Sequence, residues 1–183
     1  MKNSKFPEND SVLRNACLAA LNLSPESAQK ISTWVSTPHD FLLYLGSPGC
    51  GKTYFCAAMV NYLAEKKTTF SFWFERDFFS GLREVIERGW DPIVELEKLN
   101  DVPFAILDDM GCARADKLTD WQREMLFNFV DIRSMSRLPT IITSNHYLKN
   151  IKLNFEERFF SRLAAKRNTI IELKEEDLRQ VYD

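Results

Sequence analysis

Apolar residues along this chain follow two rhythms. Between residues 11 and 34 they recur at helical spacing: SVLRNACLAAL (11–21) follows an Asp10 or Ser11 cap, and Ser24 with Pro25 opens a second helix that runs to about Trp34. From His39 the rhythm becomes four unbroken apolar runs, FLLYL (41–45), TFSFWF (69–74), PFAIL (103–107) and PTIITS (139–144). The segments between them are long and periodic enough to be helices. Unbroken runs suit strands covered on both faces, and their alternation with helices predicts a parallel α/β sheet with right-handed crossovers. Residues 169–173 predict a last edge strand, and WQREMLFNFVDIRS (121–134) an amphipathic helix covering the sheet. Residues 1–10 are polar and contain Pro7, which predicts a flexible tail ahead of a single domain over 11–183 with two short N-terminal helices.

The first turn between strand and helix carries the clearest chemistry. GSPGCGKT, Gly46, Ser47, Pro48, Gly49, Cys50, Gly51, Lys52 and Thr53, fits GxxxxGK[ST] and lies after FLLYL and before the helix TYFCAAMVNYLAEKK, which Tyr54 enters. The glycines let successive backbone N–H groups face inward at a helix N-terminus, where the dipole favours phosphate. Lys52 is expected to reach the β and γ phosphates of ATP, and the Thr53 hydroxyl to hold Mg²⁺. Cys50 stands where a small side chain is tolerated.

An ATPase also needs carboxylates beside the phosphates. FAILDD places Asp108 and Asp109 at the end of an apolar strand. Side chains alternate along a strand, so the two acids are expected to divide the labour: Asp108 at Mg²⁺, Asp109 orienting or deprotonating the attacking water. The fourth apolar run likewise ends in polar residues, Thr143, Ser144 and Asn145, on the same carboxyl edge of a parallel sheet. Asn145 is expected to bond a γ-phosphate oxygen and the water beside it.

Charge and cysteine usage narrow the surroundings. A formal net charge of −2 with mixed signs excludes a binder that relies on a basic surface, so any DNA contact must be a local patch. Arg76 and Arg83, on the helix after FSFWF, are candidates for such a patch on single-stranded DNA; the aromatics before them are expected in the core. Cys17, Cys50, Cys56 and Cys112 form no CxxC pair, and His39 and His146 are isolated, which argues for reduced thiols and against structural zinc. No apolar stretch reaches signal-peptide or membrane-spanning length, so a soluble cytoplasmic protein without membrane contact is expected.

Taken in order, GSPGCGKT, LDDMG (107–111), RSMSRLPTIITSN (133–145), ERFFSRL (157–163) and EEDLR (175–179) resemble the AAA+ ATPase domain of the DnaC and IstB type. The resemblance implies a three-layer P-loop NTPase (AAA+/ASCE) with a central parallel sheet flanked by helices. It implies Walker A roles for Lys52 and Thr53, Walker B roles for Asp108 and Asp109, and a sensor role for Asn145. It also implies an arginine finger at Arg162, with Arg158 the next candidate, entering a neighbouring subunit's ATP site; an isolated subunit is then a weak ATPase. A head-to-tail ring or spiral of identical subunits on DNA follows, assisting a replicative DNA helicase or another DNA-processing protein. Within the same fold the alternatives are a transposase helper ATPase and an ATP-switched adaptor with little hydrolysis. The short segment before the phosphate loop differs from the separate N-terminal domain of typical loaders. The early end after the last strand is expected to leave out the helical lid domain, with Arg179 a partial substitute for its arginine. Arg133 and Arg137 are structural or intersubunit on this reading.

Overall fold

The computed structural model describes residues 1–6, 10–111 and 118–173. Its sheet has five parallel strands, β1 (Phe41–Leu45), β2 (Phe70–Phe74), β3 (Phe104–Met110), β4 (Thr140–Ser144) and β5 (Thr169–Glu172), in the order β2-β3-β4-β1-β5. The unbroken apolar runs have the predicted cause. Phe41, Leu43 and Leu45 enter the core on one face with Trp73, Ala105, Leu107 and Ile142, while Leu42 and Tyr44 enter a second core with Phe72, Ile106 and Ile141. Both faces are therefore covered, and the expected three-layer architecture is the one observed.

Eight α-helices are described: α1 (Ser11–Arg14), α2 (Pro25–Ser36), α3 (Lys52–Glu65), α4 (Glu75–Glu87), α5 (Pro92–Glu97), α6 (Asp120–Met135), α7 (Leu148–Asn154) and α8 (Glu157–Leu163). Helices α2 and α3 share the core of one face; α4, α5, α6 and α8 share that of the other. Ser24 caps α2 with Pro25 in its first turn, as predicted. A capping box of Thr119 and Gln122 starts α6. None of the described helices is long and apolar enough to cross a membrane.

The expected helix over 11–21 is broken. It stops at Arg14, and a single 3₁₀ turn, Leu18–Ala20, follows. Ala16 is buried against Ala57 and Ala58 of α3, and beyond the short turns that end at the Ala16 N–H the backbone around it is taken up by side chains of α3. Asn61 Nδ2 donates to the carbonyls of Arg14 and Ala16 at 3.1 and 2.8 Å, and the Cys17 N–H donates to the Tyr54 hydroxyl.

Nor does a loose tail describe residues 1–6, which run along the open edge of β2. The Ser4 N–H donates to Phe72 O at 2.7 Å, the Phe72 and Phe74 N–H groups donate to Asn3 Oδ1 and Ser4 Oγ, and Asn3 Nδ2 donates to Phe70 O. Phe6 stacks on Phe72 with ring centroids 4.6 Å apart.

Arg133 has an internal role. It is fully buried, and its guanidinium donates to Thr140 Oγ1 and to the carbonyls of Leu99, Val102, Pro103 and Pro139. This clamps the turns that lead into β3 and β4. Burial pushes its pKa down to about 10.

Candidate functional site

The phosphate loop hangs between the end of β1 and the start of α3. Gly49 and Gly51 stand at φ 88° and 89°, left-handed values that glycine adopts without steric cost, and Gly51 is the N-cap of α3. Lys52 is buried, and its Nζ donates to the carbonyls of Gly46 and Ser47 at 2.9 and 2.7 Å, with Cys50 Sγ at 3.6 Å. The lysine head thus lies on the inside of the loop, where a phosphate oxygen could take the place of the carbonyls. Gly46 donates its N–H to Ser144 O, tying the loop's first residue to the end of β4.

Strand order decides what stands beside that loop. Because β4 lies between β1 and β3, its polar end separates the loop from the acids. Thr143 and Asn145 project on the same face, two residues apart, and each takes one acid. The Thr143 hydroxyl donates to Asp108 Oδ1 at 2.5 Å, while Asn145 Nδ2 donates to Asp109 Oδ1 at 2.6 Å. Ser144 points the other way, donating to Met110 O and accepting the His146 N–H.

The division of labour between the acids has a backbone cause that alternation alone does not supply. The β3–β4 register shifts between Leu107 and Met110, and Asp109 sits at φ 62°. Its N–H donates to Thr143 Oγ1 at 2.9 Å, so one hydroxyl serves both acids. Left-handed φ at a residue other than glycine costs on the order of 1 kcal/mol, with aspartate among the more tolerant. Gly111, at φ 76°, completes the bend and donates its N–H to Oε1 of the buried Glu75 at 2.6 Å. Sequence reasoning missed Glu75 and Thr143 as supports; a polar residue ending each neighbouring apolar run was the available signal.

Asp108 is fully buried. Its Oδ1 accepts from Thr143 and from Cys56 Sγ at 3.4 Å, whereas Oδ2 is buried with no hydrogen-bond partner among the described residues. A buried carboxylate oxygen left in this condition fits a hard cation such as Mg²⁺; Thr53 stands on the first turn of α3. Burial, then the adjacent Asp108, raise the Cys56 thiol well above its ordinary pKa and keep it protonated. Beside the loop opens a groove of about 990 Å³, lined among others by Leu23, Ser24, Lys30, Cys50, Tyr147 and Leu173, large enough for a nucleoside. Tyr54 is turned from it toward the N-terminal segment, where its hydroxyl receives the Cys17 N–H.

The arginines stand apart from this edge. Arg162 Nε donates to Asp131 Oδ1 on α6 at 2.6 Å, and Arg158 Nε donates to Glu156 Oε2 at 2.6 Å. Arg76 is exposed beside Asp77, Arg83 lies over the Trp121 ring, and Arg137 pairs with the buried Asp40. Arg179 and Cys112 lie outside the described residues.

A family model described as Nephrocystin 3, N-terminal, matches residues 26–84, the phosphate loop and its flanks, under half of the chain. Over 118 residues, 62% of its length, the chain is 36% identical to the replicative helicase loader DnaI of Bacillus subtilis (strain 168). That match takes in 36% of the relative, so the chain spans little more than a third of the relative's length. Of solved structures, the DnaC helicase loader superposes with a TM-score of 0.71 at 25% identity, covering 90% of this chain and 99% of that one. DnaI superposes at 0.70 and 22% identity over 96% and 95%, a likeness of fold.

Proposed function

We propose, from the premise that the chain carries an AAA+ domain of the DnaC type, that it is a Mg²⁺-dependent ATPase whose copies assemble head to tail on DNA to serve a replicative helicase. One observation carries the reading. The polar end of β4 holds the two acids of β3 through Thr143 and Asn145 and is itself bonded to the first residue of the phosphate loop. A sheet edge built only for stability has no need, at that point, of a buried carboxylate oxygen without a hydrogen-bond partner among the described residues.

On this reading residues 11–183 act as one ATPase domain in the cytoplasm. The loop amides and Lys52 bind the phosphates, and the groove beside Cys50 takes the base and ribose. Thr53 and Asp108 hold Mg²⁺, which supplies charge neutralisation at the β and γ phosphates when bound. Asp109 accepts the proton of the attacking water, and Asn145 keeps that carboxylate in line. The charge that develops on the transferred phosphoryl has no arginine partner on this edge among the described residues, and Arg162 of an adjacent copy supplies it. Such a contact is heterologous, which makes rings or open spirals. The match to helicase loaders favours helicase service over transposition.

The test is ATP turnover over a range of protein concentrations, with and without single-stranded DNA. Turnover per subunit should rise with concentration. Lys52→Ala should lose nucleotide binding, Asp109→Asn should bind without hydrolysing, and Arg162→Ala should lose about 10³-fold in rate with binding retained. A rate independent of concentration and indifferent to Arg162→Ala would remove the assembly reading; normal hydrolysis by Asp109→Asn would remove the acid assignment.

A further inference from the structure

We infer that Asp131 is the positioning residue for the arginine finger, and that it singles out Arg162 rather than Arg158 for that role. The inference rests on the head-to-tail reading above. Helices α6 and α8 lie side by side, and two residue pairs four apart face each other across them, Phe127 with Arg158 and Asp131 with Arg162. The two rungs treat their arginines differently. Arg158 has its guanidinium face 4.1 Å from the centroid of the Phe127 ring and its Nε on Glu156, two residues away on the same short segment, so its face is engaged within the chain. Arg162 is held by a single nitrogen, Nε, on Asp131 Oδ1 at 2.6 Å.

A guanidinium has five N–H donors in one plane. With Nε taken, and Asp131 its hydrogen-bond partner among the described residues, the four N–H groups of the two terminal nitrogens keep their donor capacity. They form the end-on fork that matches two oxygens of a phosphate. The Arg162 side chain remains 43% exposed against 25% for Asp131, so the carboxylate is the more buried partner and the arginine stays within reach of a neighbouring copy.

The backbone beneath the fork is fixed as well. Asn168 Nδ2 donates to the carbonyls of Arg162 and Leu163, each at 2.8 Å, and Asn168 Oδ1 accepts the Phe41 N–H at the start of β1. Phe159 and Leu163, on the stripe of α8 next to Arg162, are buried in the core and anchor the helix. A long side chain that would otherwise sample several rotamers is therefore presented to a neighbouring copy already ordered, and less freedom is lost when it meets the γ-phosphate.

The experiment compares Asp131→Ala, Asp131→Asn, Glu156→Gln and Arg162→Ala in the full chain. It reads kcat, KM for ATP, the concentration midpoint of assembly and the melting temperature. Asp131→Ala should lower kcat about tenfold, the weight of the freed torsions, with KM and midpoint within about twofold. Asp131→Asn, whose carboxamide oxygen still accepts the Nε–H, should recover to within about threefold of wild type, and Glu156→Gln should leave kcat unchanged. Wild-type kcat in Asp131→Ala beside a collapsed Arg162→Ala would overturn the positioning role and leave the finger standing. An indifferent Arg162→Ala would overturn both. A faster Asp131→Ala would mean that the carboxylate restrains the finger, and equal losses in Ala and Asn variants with lowered melting would reduce the pair to a structural tie; either result overturns the inference.

Discussion

Replacing Thr143 with valine removes one oxygen and almost no volume, yet that oxygen bonds to both acids. In the native chain it donates to Asp108 Oδ1 at 2.5 Å and accepts the Asp109 N–H at 2.9 Å, on a side chain that is fully buried. A hydrogen bond to a buried carboxylate contributes about 1.5–3 kcal/mol and a neutral one about 0.5–1.5 kcal/mol, so Thr143→Val should destabilise the fold by roughly 2–4 kcal/mol. At about 2–4 °C per kcal/mol for a chain of this size, the melting temperature should fall by roughly 5–15 °C. The loop is built from other residues, so nucleotide affinity should change little while turnover falls, because Asp109 loses the contact that holds its left-handed backbone in place. Thr143→Ser, which keeps the hydroxyl and deletes a methyl, separates bonding from packing: it should retain most of the turnover. Denaturation followed by circular dichroism and a phosphate-release assay on the three proteins are sufficient. A valine variant that melts with wild type and hydrolyses at its rate would refute the claim that this hydroxyl organises the acids.

Three further outcomes follow from the same geometry. Arg133→Met strips the donor from four backbone carbonyls and Thr140, and should cost about 3–5 kcal/mol in urea unfolding; unchanged stability would rule out the clamp and leave the intersubunit alternative for Arg133. Gly111→Ala puts a side chain at φ 76°, 3.1 Å from the His146 ring, and should destabilise by about 1–2 kcal/mol and slow turnover through the neighbouring Asp109, whereas an unaltered protein would show that the bend tolerates strain. In a peptide-resolved alkylation experiment at pH 8, exposed Cys17 should react quickly and Cys56 only after unfolding, since burial and Asp108 keep its thiol protonated; prompt labelling of Cys56 would contradict the packed site.

The loop was legible because its chemistry is local: eight consecutive residues, a strand before and a helix after. The sheet was legible because burial on both faces leaves unbroken apolar runs. What escaped depended on partners far away in the chain. The helix expected over 11–21 carries a helical pattern, but Asn61 and Tyr54 of α3 compete for its backbone at Arg14, Ala16 and Cys17. Arg133 looks like a surface cation at a helix end, and only the fold brings the carbonyls of Leu99 and Val102 to it. The αL turn at Asp109 is invisible in FAILDD because aspartate is also at home at an ordinary strand exit. Asp131 reads as one more polar position on an amphipathic helix until α8 is placed beside it.

The segment along β2 has a consequence for solubility. FSFWF is an uncharged, aromatic, proline-free strand at the margin of a sheet, the kind of sequence that recruits further strands edge to edge. Residues 3 and 4 engage the outward-facing groups of this edge at Phe70 O, Phe72 N–H, Phe72 O and Phe74 N–H, and Phe6 shields two of its rings. The first six residues therefore act as a gatekeeper against self-association that has nothing to do with nucleotide. A chain lacking them should keep its ATP site and lose its colloidal stability, precipitating at concentrations that the intact protein withstands.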